Sequence, residues 1–371
     1  MAELTSVVLA GGGTAGHVNP LLAVADELRR RHPGLTVTVL GTAEGLEAEL
    51  VPARGYPLVV VPRAPLPRRP TPDWLRLPAR LRRAVAVARQ AVAGAQAVVG
   101  FGGYVATPAY LAARGRVPVV VHEQNARPGL ANRLGARWAD AVAVTFPGTP
   151  LRGRRAGAPV VTGLPLRPQV AALVAARAAD PAAARAAGAA ALGLDPAATT
   201  LLVTGGSLGA LSLNRAVAGV AGDLAAAGVQ VLHLAGTGKD DEVRAATAGL
   251  PGYHVLPYLA DMQHALAVAD LVVCRAGAGT VSELAALGLP AVYVPLPVGN
   301  GEQRLNAAPV VAAGGGLLVD DARLTPAWLR AEALPLLADV ARRAAMAEAA
   351  RSVGVVDGAA RVADLVEKVA R

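Results

Sequence analysis

Four glycine-rich turns are the parts of this 371-residue chain in which residue type and spacing most directly suggest chemistry. Glycines let a backbone approach a ligand closely, and the free amide groups at a helix start attract phosphate oxygens. Each turn follows a short apolar run and precedes a helical pattern. The turns are Gly11-Gly12-Gly13-Thr14-Ala15-Gly16-His17, Gly100-Phe101-Gly102-Gly103-Tyr104, Gly205-Gly206-Ser207-Leu208-Gly209 and Gly277-Ala278-Gly279-Thr280. Their spread over both halves suggests two phosphorylated ligands, one per half, although close packing explains the second turn equally well.

The first turn also satisfies the G-x-G-x-x-G pattern of dinucleotide-binding folds through Gly11, Gly13 and Gly16. That interpretation requires an acidic residue at the end of the second strand, where it would bind a ribose. The second strand is predicted to end at Leu40, and the next acid, Glu44, comes late. The pattern therefore argues against a nicotinamide cofactor.

Three titratable residues near these turns are candidates for a direct role. His17 could be a base, a phosphate donor or a packed histidine. Glu123 lies in the polar run His122-Glu123-Gln124-Asn125, which could bind a sugar or form a solvated loop. Glu283 could close a capping box that starts at Thr280, or it could accept two ribose hydroxyls. The residues alone leave these alternatives open.

Short β-branched runs alternate with longer helical patterns, which is typical of parallel sheets covered on both faces. Strands are predicted at Val7–Ala10, Thr36–Leu40, Leu58–Val61, Ala97–Val99, Val117–Val121 and Ala141–Val144, and again at Thr200–Val203, Val229–Leu234, His254–Leu256, Leu271–Cys274, Ala291–Val294 and Leu317–Val319. The first helix is predicted to begin near Pro20. We expect two doubly wound domains, residues 1–165 and 166–356, and a last helix in 357–371 that could pack back onto the first domain.

Charge separates the two halves. The formal net charge is +9, and residues 1–165 carry +11 of it while residues 166–371 carry −2. A basic half predicts an anionic partner, but aromatics are only 3% of the chain and show no stacking pattern, which argues against nucleic acid. One cysteine, Cys274, and the lack of an Asp-x-Asp motif argue against a disulfide framework and a metal site. Glycines and prolines interrupt every long uncharged window, so no transmembrane helix is expected.

The segment Pro62–Pro78 concentrates the basic charge. Leu77, Leu81 and Val85 recur at helical spacing after Trp74, and arginines lie before and between them: Arg63, Arg68, Arg69, Arg76, Arg80, Arg82 and Arg83. One interpretation is a core-facing helix with a solvated basic face. The other is peripheral docking on an anionic membrane leaflet, which contributes up to about 1 kcal/mol per basic residue near the surface.

Taken together in one order, these motifs resemble a bacterial peptidoglycan glycosyltransferase family, the MurG family, which converts lipid I to lipid II. The motifs are the first glycine turn, Gly102-Gly103-Tyr104, His122 to Asn125, Gly205-Gly206-Ser207, Cys274 to Gly277 with Thr280 to Glu283, and Gly301-Glu302-Gln303 through Asn306. The resemblance runs from about Val7 to at least Pro309. It implies a GT-B fold, in which two doubly wound Rossmann-like domains face a central cleft.

The resemblance also implies the reaction and its residues. N-acetylglucosamine would pass with inversion from UDP-N-acetylglucosamine to an undecaprenyl-diphosphate-linked muramoyl-pentapeptide, without metal or cofactor, at the cytoplasmic face of the cell membrane. The implied donor-binding set is Thr14, Ala15, Gly16, Asn125, Arg167, Ser207, Leu259, Ala278, Gly279, Thr280, Val281, Ser282, Glu283 and Gln303, in which Glu283 holds the ribose and Leu259 reads the uracil. The implied acceptor-binding set is Gly13, His17, Gly102, Gly103 and Tyr104. His17 is the proposed base, with Glu123 as the alternative.

Three positions depart from the usual family pattern. Leu208 stands where the family usually has glutamine, which removes a polar side chain beside the diphosphate and could weaken donor binding. Ala15 replaces a common glycine, and Leu164 replaces a common asparagine. The alternatives to the implied function are a related enzyme with a soluble acceptor, a non-catalytic nucleotide-sugar-binding protein and a dinucleotide oxidoreductase.

Overall fold

The computed structural model describes residues 3–64 and 73–370. The chain forms two compact units. The first unit contains Met1–Arg167 together with Asp357–Arg371, and the second contains Pro168–Val356. The chain therefore leaves the first domain, builds the second and returns to the first.

The first domain is a seven-stranded, fully parallel sheet with helices on both faces. Its strands are β1 (Ser6–Ala10), β2 (Thr36–Gly41), β3 (Leu58–Val60), β4 (Ala97–Gly100), β5 (Val119–Glu123), β6 (Ala141–Val144) and β7 (Val160–Val161). Its helices are α1 (Ala15–Arg31), α2 (Glu47–Ala53), α3 (Asp73–Val92), α4 (Gly103–Ala113) and α5 (Leu130–Gly135), and Gly358–Val369 forms one more.

Two apolar cores cover the two faces of this sheet. Val7, Leu9 and Val39 point to one face, where α1 and the helix Gly358–Val369 pack. Val8 and Val98 point to the other face, where α3 and α4 pack. This alternation of side chains along each strand is the pattern expected of a sheet buried on both faces.

The second domain is a six-stranded parallel sheet. Its strands are β8 (Thr200–Thr204), β9 (Gln230–Leu234), β10 (Tyr253–Leu256), β11 (Leu271–Cys274), β12 (Ala291–Tyr293) and β13 (Gly316–Leu318). Its helices are α6 (Pro168–Ala179), α7 (Pro181–Leu192), α8 (Leu211–Ala218), α9 (Ala221–Ala226), α10 (Asp241–Ala246), α11 (Met262–Val268), α12 (Ala278–Leu287), α13 (Glu302–Ala312), α14 (Pro326–Trp328), α15 (Leu334–Ala338) and α16 (Val340–Val353). The final helix of the first domain, Gly358–Val369, is α17.

Strand order fixes where a ligand can bind in each domain. The orders are β3-β2-β1-β4-β5-β6-β7 and β10-β9-β8-β11-β12-β13, so the winding direction reverses between β1 and β4 and between β8 and β11. Ligands of doubly wound sheets bind beyond the carboxyl ends of the strands at this reversal. All four glycine turns leave these four strands, two at each reversal.

The predicted fold class is confirmed, and the differences are local. Each predicted strand is present with ends shifted by at most two residues, whereas the short edge strand β7 was not predicted. Helix α1 begins at Ala15 and not near Pro20. Pro20 is therefore its sixth residue, where proline removes one helical hydrogen bond and its ring crowds the carbonyl of Gly16.

The basic segment is described only in part. Residues 65–72, with Arg68 and Arg69, and the side chain of Trp74 lie outside the described residues. Leu77, Leu81 and Val85 pack against the core, as the core-facing interpretation requires. Arg76, Arg82 and Arg83 are exposed on the other side of α3. Within residues 3–64 and 73–370, helices lack the combined length and apolar character that crossing a bilayer requires.

Candidate active site

The backbone amides at the start of α1 donate no hydrogen bond to the side chain of the N-cap residue. Thr14 is the N-cap residue, and its side chain makes no capping hydrogen bond. Its Oγ1 instead lies 3.0 Å from His17 Nδ1. The first turn of α1 contains no acidic residue. The amides around Ala15 and Gly16 therefore remain at the positive end of a 17-residue helix, a favourable place for an anion.

The turn after β4 packs directly on this loop. A Cβ on Gly102 would lie 3.2 Å from His17 Nε2, and a Cβ on Gly103 would lie 2.6 Å from the Gly12 carbonyl oxygen. Both glycines have a positive φ, 90° and 72°, which other residues rarely adopt. The predicted acceptor-binding residues Gly13, His17, Gly102, Gly103 and Tyr104 therefore form one cluster at the β1/β4 reversal.

A buried carboxylate that the sequence analysis missed organises the first turn. Glu47 is fully buried, and its Oε2 accepts a 2.9 Å hydrogen bond from the Gly13 amide. Its Oε1 accepts hydrogen bonds from the Thr42 amide (2.9 Å) and hydroxyl (2.7 Å). Burial alone would raise the pKa of Glu47, but these hydrogen bonds outweigh it and the pKa is lowered. The only sequence signal was an acid at a helix start, preceded by Gly41 and Gly45.

His17 is the titratable side chain in contact with both turns. Burial lowers its pKa, while a hydrogen bond with the Gly12 backbone and the charge of Glu47 act in the opposite direction. The imidazole is therefore largely neutral at neutral pH, which is the form that can accept a proton.

The run from His122 to Asn125 is mostly buried, so of the two interpretations the solvated loop is wrong. His122 Nε2 lies 3.1 Å from the Gly163 carbonyl, and burial lowers the pKa of this imidazole to about 4. Glu123 accepts 2.9 Å hydrogen bonds from the Asn125 and Gly129 amides, and burial raises the pKa of its carboxyl. Asn132, another residue missed from sequence, donates to Glu123 Oε2 at 3.0 Å.

In the second domain, α12 follows β11, the strand that lies next to β8 in the sheet. Its N-cap is Gly277, with no side-chain capping bond and no acid in the first turn. The predicted capping box is wrong because Thr280 lies inside the first turn and does not precede it. Glu283 consequently lies in the second turn, half-buried. The predicted set from Ala278 to Glu283 occupies the first two turns of this helix.

Gln303 and Asn306 on α13 hold the loop that leads into α12. Gln303 Oε1 accepts hydrogen bonds from the Leu296 amide (2.9 Å) and the Ala276 amide (3.2 Å). Asn306 is fully buried and donates to the Ala276 carbonyl at 3.3 Å. The two amide donors identify the oxygen of the Gln303 side chain. Its Nε2 makes no hydrogen bond within the described residues, so it can donate to a ligand.

A second polar network, also missed from sequence, ties four strand ends together. Arg275, directly after β11, pairs with Asp321 at 2.5 Å and donates to Ser212 Oγ at 3.0 Å. It also donates to the Val294 and Pro295 carbonyls at 3.2 Å. Ser212 in turn donates to Asp321 at 2.6 Å. These bonds fix the loops after β8, β11, β12 and β13 relative to one another.

The turn after β8 is exposed and supported from below. Ser207 is exposed, and Leu208 retains 80% of its accessible surface. Lys239 Nζ donates to the Leu208 carbonyl at 2.7 Å. A Cβ on Gly209 (φ 65°) would lie 2.2 Å from the Ala235 carbonyl oxygen, so only glycine fits there.

The remaining predicted donor residues lie at strand or domain ends. Leu259 follows β10 at the edge of the second sheet, and Arg167 ends the first unit, half-buried. Thr14, Ala15, Gly16 and Asn125 belong to the first domain. Within the described part of the chain, no group of three or more His, Cys, Asp or Glu side chains is placed to hold a metal ion.

Family models match both domains. The glycosyltransferase family 28 N-terminal domain matches residues 7–144, and the glycosyltransferase family 28 C-terminal domain matches residues 200–362. These two ranges contain all four glycine turns.

Full-length relatives carry one name. A protein of Clavibacter sepedonicus, named UDP-N-acetylglucosamine--N-acetylmuramyl-(pentapeptide) pyrophosphoryl-undecaprenol N-acetylglucosamine transferase, is 58% identical over 98% of this chain and 96% of its own length. A protein of the same name from Streptomyces avermitilis is 54% identical over 94% of each chain. The crystal structure of Acinetobacter baumannii MurG is similar with a TM-score of 0.74 and 29% identity, covering 98% of this chain and 99% of that one.

Proposed function

The chain belongs to the glycosyltransferase family 28 group of lipid I N-acetylglucosaminyltransferases, and from this we infer that it moves N-acetylglucosamine from UDP-N-acetylglucosamine to lipid I, forming lipid II. The acceptor atom is the muramoyl C4 hydroxyl oxygen. The observation that carries this function is the full-length identity to enzymes of that name, combined with glycine turns at both sheet reversals.

We propose that the second domain binds the donor. The diphosphate would lie against the amides at the start of α12 and the hydroxyl of Ser207, where the positive helix end stabilises the charge that develops as UDP leaves. Glu283 would accept the ribose hydroxyls, and the free Nε2 of Gln303 would donate to the amino sugar. With Arg275 and Asn306 fixing the loops, these groups need little rearrangement when the donor binds.

We propose that the first domain binds the acceptor and that His17 takes the proton. The muramoyl oxygen attacks the anomeric carbon as the bond to UDP breaks, and its proton passes to the imidazole. The contacts favour His17 over Glu123, since Glu123 is buried and engaged by Asn125, Gly129 and Asn132.

One assay tests the reaction. Labelled UDP-N-acetylglucosamine is incubated with the protein and a short-chain lipid I analogue, and the disaccharide product is measured. Transfer to the analogue supports the proposal. Donor binding without transfer would favour a non-catalytic sugar-nucleotide-binding protein, and transfer only to a soluble acceptor would favour the related enzyme.

We also propose that the first domain docks peripherally on an anionic membrane, at the cytoplasmic leaflet. Besides the exposed arginines of α3, a cavity of about 570 Å³ is lined by Arg114, Arg137, Trp138, Arg154 and Arg155. The guanidinium of Arg114 lies 4.9 Å from the centre of the Trp138 ring. Among the described residues no carboxylate pairs with these four arginines. Concentrated positive charge beside an aromatic ring suits a phospholipid surface.

Vesicle sedimentation tests the docking. Wild-type protein should bind vesicles containing phosphatidylglycerol more than vesicles of phosphatidylcholine, and added salt should weaken binding. Arg137→Glu should reduce binding several-fold. The matched control is Arg342→Glu, an exposed position in the second domain. Equal binding by the two variants would contradict the docking proposal.

A further inference from the structure

Glu47 is the first residue of the seven-residue helix α2, and its carboxylate is buried and accepts several hydrogen bonds. It is fully buried, and its hydrogen-bond donors are uncharged: the Gly13 amide, the Thr42 amide and hydroxyl, and its own backbone amide. Within the described residues no basic side chain pairs with it. A buried charge without a cation is costly unless hydrogen bonds replace its hydration, as they do here.

Three glycines shape the space around this side chain. A Cβ on Gly12, Gly41 or Gly45 would lie 2.4, 2.5 or 2.1 Å, respectively, from the nearest Glu47 side-chain atom. A larger residue at any of these positions would collide with the carboxylate or its stem. The backbone around Glu47 is therefore fitted to this one side chain. Glycine is required at position 12 of the first turn because the Glu47 carboxylate fills the space a Cβ would need.

The hydrogen bonds of Glu47 extend to both turns at the β1/β4 reversal. Gly13 belongs to the first turn, which continues through Thr14 to His17. The Thr42 hydroxyl, which donates to Glu47, lies 3.1 Å from the Tyr104 hydroxyl of the second turn. One carboxylate thus connects the proposed base with the opposite wall of the acceptor cluster.

We propose that Glu47 is a positioning residue of the acceptor site: its carboxylate occupies the Gly13 amide in place of a ligand phosphate and holds the turn that carries His17. This inference rests on the acceptor role proposed above for the first domain. It implies that Gly13 contributes to the acceptor site through its backbone conformation, because its amide is already bonded to Glu47 and cannot donate to the acceptor. The acceptor diphosphate is then left with the amides at the start of α1.

The same charge acts on His17. The titratable groups on the neighbouring elements are Glu47 from α2, Tyr104 from α4 and, behind Asn132, His122 and Glu123 from β5; Arg63 stacks on Tyr104 with its guanidinium 5.5 Å from the ring centre. The charge of Glu47 stabilises the protonated imidazole and so offsets part of the lowering of the His17 pKa that burial causes. A buried anion behind the base favours proton uptake as the acceptor hydroxyl attacks.

Glu47→Gln tests the inference because it keeps the shape and removes the charge. Because the Gly13 and Thr42 amides each donate to one carboxylate oxygen, the NH2 group of the glutamine would face one of these two amides, donor against donor. The control is Glu49→Gln, the same change two residues along α2 at an exposed carboxylate. The His17 pKa is followed by NMR through the ring resonance that disappears in His17→Ala.

We expect Glu47→Gln to lower the His17 pKa below its wild-type value, because the carboxylate charge that favours the protonated imidazole is removed. The kcat/KM for the lipid I analogue should fall about tenfold or more, with the KM for the donor within about twofold. Glu49→Gln should change neither quantity. A His17 titration in Glu47→Gln identical to that in Glu49→Gln would overturn the inference.

If Glu47→Gln does not fold, Glu47→Asp tests the positioning role instead. It keeps the charge but withdraws it by one methylene, so the kcat/KM for the acceptor should fall while the His17 pKa stays near the wild-type value. Wild-type kinetics in Glu47→Asp would refute a positioning role. The NMR titration needs no glycosyl transfer, so a wild-type protein inactive on lipid I would refute the proposed function and leave this result standing.

Discussion

Replacing Gln303 with glutamate separates two roles that one side chain combines. In the structure its oxygen accepts the amides of Ala276 and Leu296, and its nitrogen has no partner within the described residues. A carboxylate would accept both amides at least as well. The variant loses only the Nε2 hydrogen-bond donor, which we assign to the amino sugar of the substrate. Gln303→Glu should therefore leave stability unchanged and impair donor binding.

The magnitudes follow from the bonds involved. One lost neutral hydrogen bond is worth about 0.5–1.5 kcal/mol, or about 2- to 13-fold in the KM for the donor. A carboxylate facing a ligand oxygen adds repulsion, so we expect the upper end of this range or beyond. Gln303→Ala should also destabilise the second domain, by about 0.5–1.5 kcal/mol, because the partly buried Ala276 amide and the exposed Leu296 amide lose their protein acceptor and water replaces only part of it.

Steady-state kinetics in UDP-N-acetylglucosamine and thermal unfolding report the two quantities separately. Gln96→Glu in the first domain is a contrasting control: Gln96 Oε1 also accepts the Thr5 and Ser6 amides, but its Nε2 donates to the Glu3 carbonyl at 2.9 Å. This variant should therefore lose stability and keep the wild-type KM for UDP-N-acetylglucosamine. A wild-type KM and kcat in Gln303→Glu would refute the assignment. A large loss of stability in that variant would refute the reasoning about its oxygen.

The other predictions concern four further residues. His17→Ala should lower kcat about 100-fold or more while the Kd for UDP-N-acetylglucosamine, measured by calorimetry, stays within about twofold; near-normal turnover would return His17 to a packing role. Glu283→Ala should raise the KM for the donor about 10- to 100-fold with an unchanged circular dichroism spectrum, and unchanged kinetics would contradict ribose binding. Burial lowers the pKa of two fully buried histidines, His122 in β5 and His233 in β9, to about 4 from an ordinary 6.5. The unfolded chain therefore binds more protons between these values, and stability is lost as the pH falls from 6.5 to 4. The loss should approach about 3 kcal/mol for each histidine, visible as a falling Tm, and a Tm independent of pH in this range would contradict it.

The sequence predicted the sheets well because their signal is local. A buried parallel strand such as Ala141–Val144 is a short apolar run bounded by polar or turn residues, and nothing distant changes that pattern. Glycine turns after such strands then locate the carboxyl edge of each sheet. The fold class and the place of the candidate site followed from these two features.

Helix starts and polar networks were predicted poorly because they depend on three-dimensional partners. Thr280 and Glu283 have capping-box spacing, yet α12 starts earlier, at Ala278. The acidic partner of Arg275 is Asp321, which lies 46 residues away, so no local sequence pattern predicts this pair. Glu47 likewise lies 34 residues from Gly13, whose amide it binds.

The return of α17 to the first domain has a consequence for how this protein is made. Val362, Ala363 and Val366 are fully buried in the core beneath α1, although the entire second domain is synthesised before them. During translation the second domain can fold as soon as it emerges, whereas the first must wait with part of its apolar surface uncovered. The half of the molecule that is made first is therefore the half that is finished last, and it is the half most in need of protection from aggregation in the interval.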